Sequence, residues 1–164
     1  MTPVVAVVGN SDSGKTRVVA SLIGTLSWQG YRVAAIKHCP HGHEINRSGS
    51  DTDRLYRAGA ATVVASSPGK LTRVDTVGGD PSLESIICQL GPEVDVAIAE
   101  GFKSSGVPKI LVVNSGHPPA SFDDVIATIC DIAFSQDLPN YRWEELDKLA
   151  TQLRMQYLDS ISTK

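Results

Sequence analysis

Residues Gly9-Asn10-Ser11-Asp12-Ser13-Gly14-Lys15-Thr16 match the pattern G-x-x-x-x-G-K-[ST] in full. The chemistry of such a loop is phosphate binding. Its backbone N–H groups converge on an anion at the start of a helix, where the helix dipole also favours negative charge. Lys15 is expected to reach the β- and γ-phosphates of a nucleotide, and the Thr16 hydroxyl to ligate Mg²⁺. A second dense cluster is Lys37-His38-Cys39-Pro40-His41-Gly42-His43-Glu44. Its residue types suit a metal, but the spacing fits no standard zinc pattern. Beside a phosphate site, its cations would meet an anionic ligand or the Mg²⁺ shell. The plainer alternative is a solvated loop with imidazoles satisfied by water.

These groups need a scaffold, and the chain supplies alternating strands and helices. The apolar run Val4-Val5-Ala6-Val7-Val8 reads as a buried strand over residues 3–9. A helix over 14–29 follows the loop, with Val18, Val19, Leu22, Ile23 and Leu26 at helical spacing and Gly30 as its stop. Further strands are expected at Tyr31 to His38, Ala61 to Ser66, Val94 to Ala99, Lys109 to Asn114 and Val125 to Cys130. Short helices are expected from Asp51 to about Ala58 and from Leu83 to Leu90, and a terminal helix from about Trp143 to Ser160. Lys70 to Val77 reads as an extra edge strand or hairpin outside this plan. Continuous apolar strands alternating with helices imply an α/β fold: a P-loop NTPase-like, mostly parallel sheet with helices on both faces.

In such sheets ligands gather at the carboxyl ends of the strands. The run Asp95-Val96-Ala97-Ile98-Ala99-Glu100 has an acid at each end, and Glu100 is the one on the ligand side. Glu100 is therefore the expected Mg²⁺ or water-positioning acid, and Asp95 is not. Asp131 ends the strand Val125 to Cys130 on the same side. A carboxylate there can accept from guanine N1 and N2 and would reject adenine, whose N1 is an acceptor. The alternative for Asp131 is an ordinary turn residue.

Composition limits the function classes. A chain of 164 residues, 41% hydrophobic and 20% charged, reads as one folded nucleotide-binding domain spanning 1–164. A net charge of −3 without a basic tract argues against a nucleic-acid partner. No apolar run approaches the ~18 residues of a membrane span. Cys39, Cys88 and Cys130 are far apart. That pattern, and a first strand that starts too early for a signal peptide, point to the cytoplasm.

Several motifs in order resemble the MobB family, the molybdopterin-guanine dinucleotide biosynthesis adaptor proteins. They are Lys37-His38 after the second strand, Gly49-Ser50-Asp51-Thr52 leading into a helix with Arg54, and Ala58-Gly59-Ala60 closing it. Glu100-Gly101-Phe102-Lys103 and Pro108-Lys109-Ile110 follow, so the resemblance covers about residues 3–135. It implies a homodimeric GTP-binding protein with weak hydrolysis. Its partner would be molybdopterin or the guanylyltransferase that attaches guanosine monophosphate to it. In that role Ser13, Lys15 and the loop amides hold phosphates, and Thr16 and Glu100 organise Mg²⁺. Asp51 joins the metal shell, and Lys37 and His38 touch phosphate or the pterin's phosphate group. The chain departs from the family at Asp12, where a glycine is common, and at Arg17, where a second Thr or Ser is common. Arg17 counts among the nucleotide-binding residues at the end of the loop and is expected to point into the following helix. The family's Pro-Gly-Lys stretch appears here as Glu44-Ile45-Asn46-Arg47-Ser48-Gly49-Ser50. A small-molecule kinase of the same fold is the first alternative, but residues 137–164 hold only Arg142 and Arg154, few for a lid. An interaction module with a nucleotide site degraded by Asp12 is the second.

Overall fold

The computed structural model describes residues 2–43, 47–114, 122–131 and 137–158. They fall into two compact units, one of Met1–His38 with Ser82–Lys164 and the other of Cys39–Pro81.

The first unit is built on strands β1 (Val4–Gly9), β2 (Val33–Lys37), β5 (Val96–Glu100), β6 (Lys109–Val112), β7 (Val125–Ile129) and β8 (Asn140–Tyr141). They form one sheet in the order β2-β5-β1-β6-β7-β8, and every pairing is parallel. Alternation along each strand explains why the runs look uniformly apolar. Val5, Val7, Val96, Ile98, Ile110 and Val112 pack with helices α1 (Lys15–Trp28) and α4 (Leu146–Leu153). Ala6, Val8, Ala97, Ala99, Leu111 and Val113 pack on the opposite face with Leu83 and Ile87 of helix α3 (Leu83–Ile87). Both faces are covered, so no polar face is left to write a period-two pattern. The chain crosses β1 on its way from β5 to β6, so the carboxyl end of β1 lies at the point where the strand order reverses.

The second unit holds helix α2 (Asp51–Arg57) and the antiparallel pair β3 (Thr62–Ser67) and β4 (Lys70–Asp75). Ser50 caps α2 by accepting from the Asp53 N–H. Pro68 and Gly69 make the two-residue turn of the hairpin, and Gly69 takes the positive φ of 73° that the turn requires. The extra hairpin is thus present, but it also takes β3, which the alternating pattern had suggested for the main sheet.

The elements otherwise follow the sequence reading with trimmed ends, apart from two differences. Strand β8 was not foreseen, since two residues carry no periodicity. The terminal helix is shorter than its apolar spacing suggested: Trp143–Glu145 is a 3₁₀ turn, α4 follows, and Arg154–Leu158 winds as a π-helical turn. Ser160 lies outside the described residues.

Candidate functional site

The phosphate loop runs from the end of β1 into α1. Gly9 is fixed by packing, because a Cβ there would come within 2.5 Å of the Val112 carbonyl oxygen. Gly14 precedes α1 in a left-handed conformation (φ 91°) that costs glycine nothing. Asp12 also has a left-handed backbone (φ 55°), which Asp tolerates better than most residues, and its side chain is exposed. The first turn of α1 carries no acid, so its positive end is not neutralised.

Ser11, Asp12, Gly14, Lys15, Thr16, Lys37 and Glu100 line an open cleft of about 490 Å³. Glu100 is the hub. It is buried, its Oε2 accepts from Thr16 Oγ1 at 2.8 Å, and its Oε1 lies 3.1 Å from Lys37 Nζ. Lys15 donates to the Asn10 carbonyl across the loop. Burial holds the Lys15 ammonium below its ordinary pKa; Glu100 opposes that shift, and Lys103 adds to it. Ser13 Oγ is buried and has no hydrogen-bond partner among the described residues. An orphaned hydroxyl in this loop, with Lys15 and Lys37 lining the adjoining cleft, fits an anion such as a phosphate chain. The paired oxygens of Thr16 and Glu100 form a hard donor set suited to Mg²⁺.

Asp95 is engaged elsewhere. It accepts from the Arg32 backbone N–H at 2.7 Å and from its guanidinium at 3.0 and 3.1 Å. Those bonds hold its pKa at about 2. Its position at the amino end of β5 leaves Glu100 as the acid at the loop.

The remaining expected residues are placed as follows. The His38 ring lies on Phe102 with centroids 4.9 Å apart, and the His38 N–H donates to the Glu100 carbonyl at 3.0 Å. Arg17 does not run along its helix. Its guanidinium lies over the Trp143 ring, 4.9 Å from the centroid. Asp131 is exposed just past β7. Asp51 belongs to the second unit, where its exposed carboxylate lies 3.5 Å from Arg54 Nη1. His41 and His43 are exposed, and Glu44 lies outside the described residues. Among the described residues no group of three or more His, Cys, Asp and Glu side chains is placed to hold a metal.

Two residues at the site were missed from sequence. Lys103 acts on Lys15 through space and sits 5.9 Å from the centroid of the Phe122 ring. Its position three residues past β5's last acid was the available signal. Trp143 was read as a core position of the terminal helix. It does pack against that core, and its ring tip also lies 2.5 Å from where a Gly14 Cβ would be.

The family described as MobB, molybdopterin guanine dinucleotide synthesis protein B, matches residues 4–131. The chain belongs to the MobB family. A molybdopterin-guanine dinucleotide biosynthesis adapter protein of Haemophilus influenzae is 31% identical over 111 residues, which is 67% of this chain and 62% of that relative. The chain thus spans less than two thirds of that relative's length. The Escherichia coli protein of the same description is 29% identical over 158 residues, 92% of this chain and 90% of its own. A crystal structure of molybdopterin-guanine biosynthesis protein B superposes with a TM-score of 0.78 at 27% identity, covering 93% of this chain and 98% of that one. The parallel sheet with helices and the small hairpin agree with these MobB structures.

Proposed function

We propose that this MobB-family chain is a GTP-binding accessory protein of molybdopterin guanine dinucleotide biosynthesis, acting in the cytoplasm with weak GTP hydrolysis. The observation that carries the reading is Glu100, bonded to Thr16 and Lys37 at the mouth of a phosphate loop. Gly9 to Thr16 would wrap the phosphates, with Lys15 at the β- and γ-phosphates. Thr16 and Glu100 would hold Mg²⁺, which when bound neutralises charge on the terminal phosphates. Lys37 and His38 would face phosphate, and the molybdopterin guanylyltransferase would be the protein partner. Slow turnover belongs to the same reading, supported by the sparse set of catalytic groups. Glu100 is the single acid lining the cleft beside Asp12, and Arg17 is stacked on Trp143. A rate well below the ~1–100 s⁻¹ of kinases is expected.

The test is calorimetry with Mg-GTP and Mg-ATP on the wild-type chain and on Asp131→Ala. GTP should bind roughly ten- to hundredfold more tightly than ATP, the cost of a carboxylate left facing an acceptor. Asp131→Ala should close that gap. A wild-type protein indifferent to the base would remove the guanine assignment.

Assembly as a homodimer belongs to the same reading. Strand β4 is paired on one side by β3, and Leu71, Val64 and Val77 are exposed in the hairpin unit. An open ladder with apolar side chains invites a second copy. Sedimentation should give a dimer at tens of micromolar, and a monomer there would count against it.

A further inference from the structure

Trp143 packs on the core and has two further contacts that core packing does not require. Its ring tip takes the place of a side chain at Gly14, the last glycine of the phosphate loop. Its face carries the guanidinium of Arg17, the residue directly after Thr16. The turn that holds it is fixed on both sides. The Arg142 N–H donates to Glu145 Oε2 at 3.1 Å, and the Glu145 N–H donates to the Arg142 carbonyl at 3.0 Å. Strand β8 leads into this turn, and the Cys130 N–H donates to the Tyr141 carbonyl at 3.1 Å. That pairing brings the end of β7, and with it Asp131, beside the chain that enters Trp143.

A nucleotide seated in the loop must lead its nucleoside out of the cradle. On one side stand Lys37 and Glu100, a charged wall suited to the terminal phosphates and their cation. The exposed Asp12 carboxylate lines the same cleft and repels phosphate oxygens. Directly after Thr16 comes Arg17, and its stacking partner Trp143 follows the carboxyl end of β8 and touches the place of a Gly14 Cβ. There the structure offers a planar cation already stacked on an indole, and Arg17 is exposed. A guanidinium held this way has little further freedom to lose and presents a flat face to a base.

Resting on the nucleotide-binding reading above, we infer that Arg17 and Trp143 form the nucleoside wall of the site, with the guanidinium sandwiched between the indole and the purine. Base selection would then divide between stacking here and the edge contact of Asp131. The departure from Thr or Ser at position 17 becomes a binding feature of this chain.

The chain has two tryptophans, and the other, Trp28, is 88% exposed at the far end of α1. A Trp28→Phe background therefore makes emission report Trp143 alone. Mg-GTP should change that emission on saturation, and inorganic tripolyphosphate, which has no nucleoside, should leave it nearly unchanged. Arg17→Ala should weaken GTP roughly five- to fiftyfold, the range for loss of one stacking partner, and leave tripolyphosphate within about twofold. Trp143→Phe should restore most of the GTP affinity lost in Trp143→Leu. If Trp143→Leu does not fold, the emission and Arg17→Ala measurements still decide. Equal loss of GTP and tripolyphosphate affinity in Arg17→Ala, or GTP binding with silent Trp143 emission, would overturn the inference and leave nucleotide binding intact. Failure of the wild-type chain to bind GTP at all would instead remove the functional reading, and this inference with it.

Discussion

Lys15→Ala should weaken Mg-GTP binding roughly ten- to hundredfold, the loss of charge-assisted bonds worth ~1.5–3 kcal/mol. Lys15 is the single cation between Gly9 and Thr16, so no neighbour in the loop can replace it. Lys37 cannot do so without leaving Glu100, which it neutralises at 3.1 Å. The fold should survive, because Lys15 bonds to the loop's own Asn10 carbonyl and is only partly buried. Burial also lowers the Lys15 pKa below its ordinary 10.5. The charged form is the one that binds phosphate. Affinity of the wild-type chain should therefore fall as pH rises toward that lowered value, and the fall should be absent in Lys15→Ala. Calorimetry across neutral and alkaline pH reads both effects. Equal affinity in wild type and mutant would remove Lys15 from the site.

Much of the fold was legible because local and global signals agreed. The loop pattern came with a strand before it and a helix after it, and β1 and α1 take those places. The choice of Glu100 over Asp95 needed a single rule, that ligands meet the carboxyl ends of parallel strands. The structure puts Glu100 on Thr16 and Asp95 on Arg32, at opposite ends of β5. Other features were hidden for physical reasons. Strand β8 is two residues long, below any periodic signal. Leaving β3 in the main sheet ignored Pro68-Gly69, a two-residue turn that pairs it with β4 rather than with a parallel neighbour. Trp143 fits the apolar spacing of α4 and also touches the phosphate loop, and spacing alone cannot reveal the second role. Lys109 was legible as a strand residue, but its burial was not, since nothing local to it announces the carbonyls of Ser105, Val107 and Asp123.

Lys109→Ala should cost about 2–4 kcal/mol of stability, the loss of charge-assisted bonds together with a new cavity. Lys109 is 1% exposed at the start of β6. Its Nζ donates to the carbonyls of Ser105 at 2.6 Å, Val107 at 3.3 Å and Asp123 at 3.1 Å, with Asp124 Oδ2 at 3.7 Å. A buried ammonium is costly unless it is saturated, and here three carbonyls saturate it. These bonds tie the segment that follows Glu100-Gly101-Phe102-Lys103 to the entry of β7. Phe102 and Asp124 hold left-handed backbones (φ 53° and 61°) at the two ends of that tie, conformations that persist where the surroundings fix them. Thermal unfolding of Lys109→Ala should show a melting temperature lower by roughly 5–15 °C, on a scale of about 2–4 °C per kcal/mol for a domain of this size. Lys109→Met keeps the stem and fills the volume but leaves the carbonyls without a donor. It should recover the cavity part of the loss and not the rest. If Lys109→Met matched the wild type in melting temperature, the carbonyl bonds would carry no net stability, and the lysine would act through its packing alone.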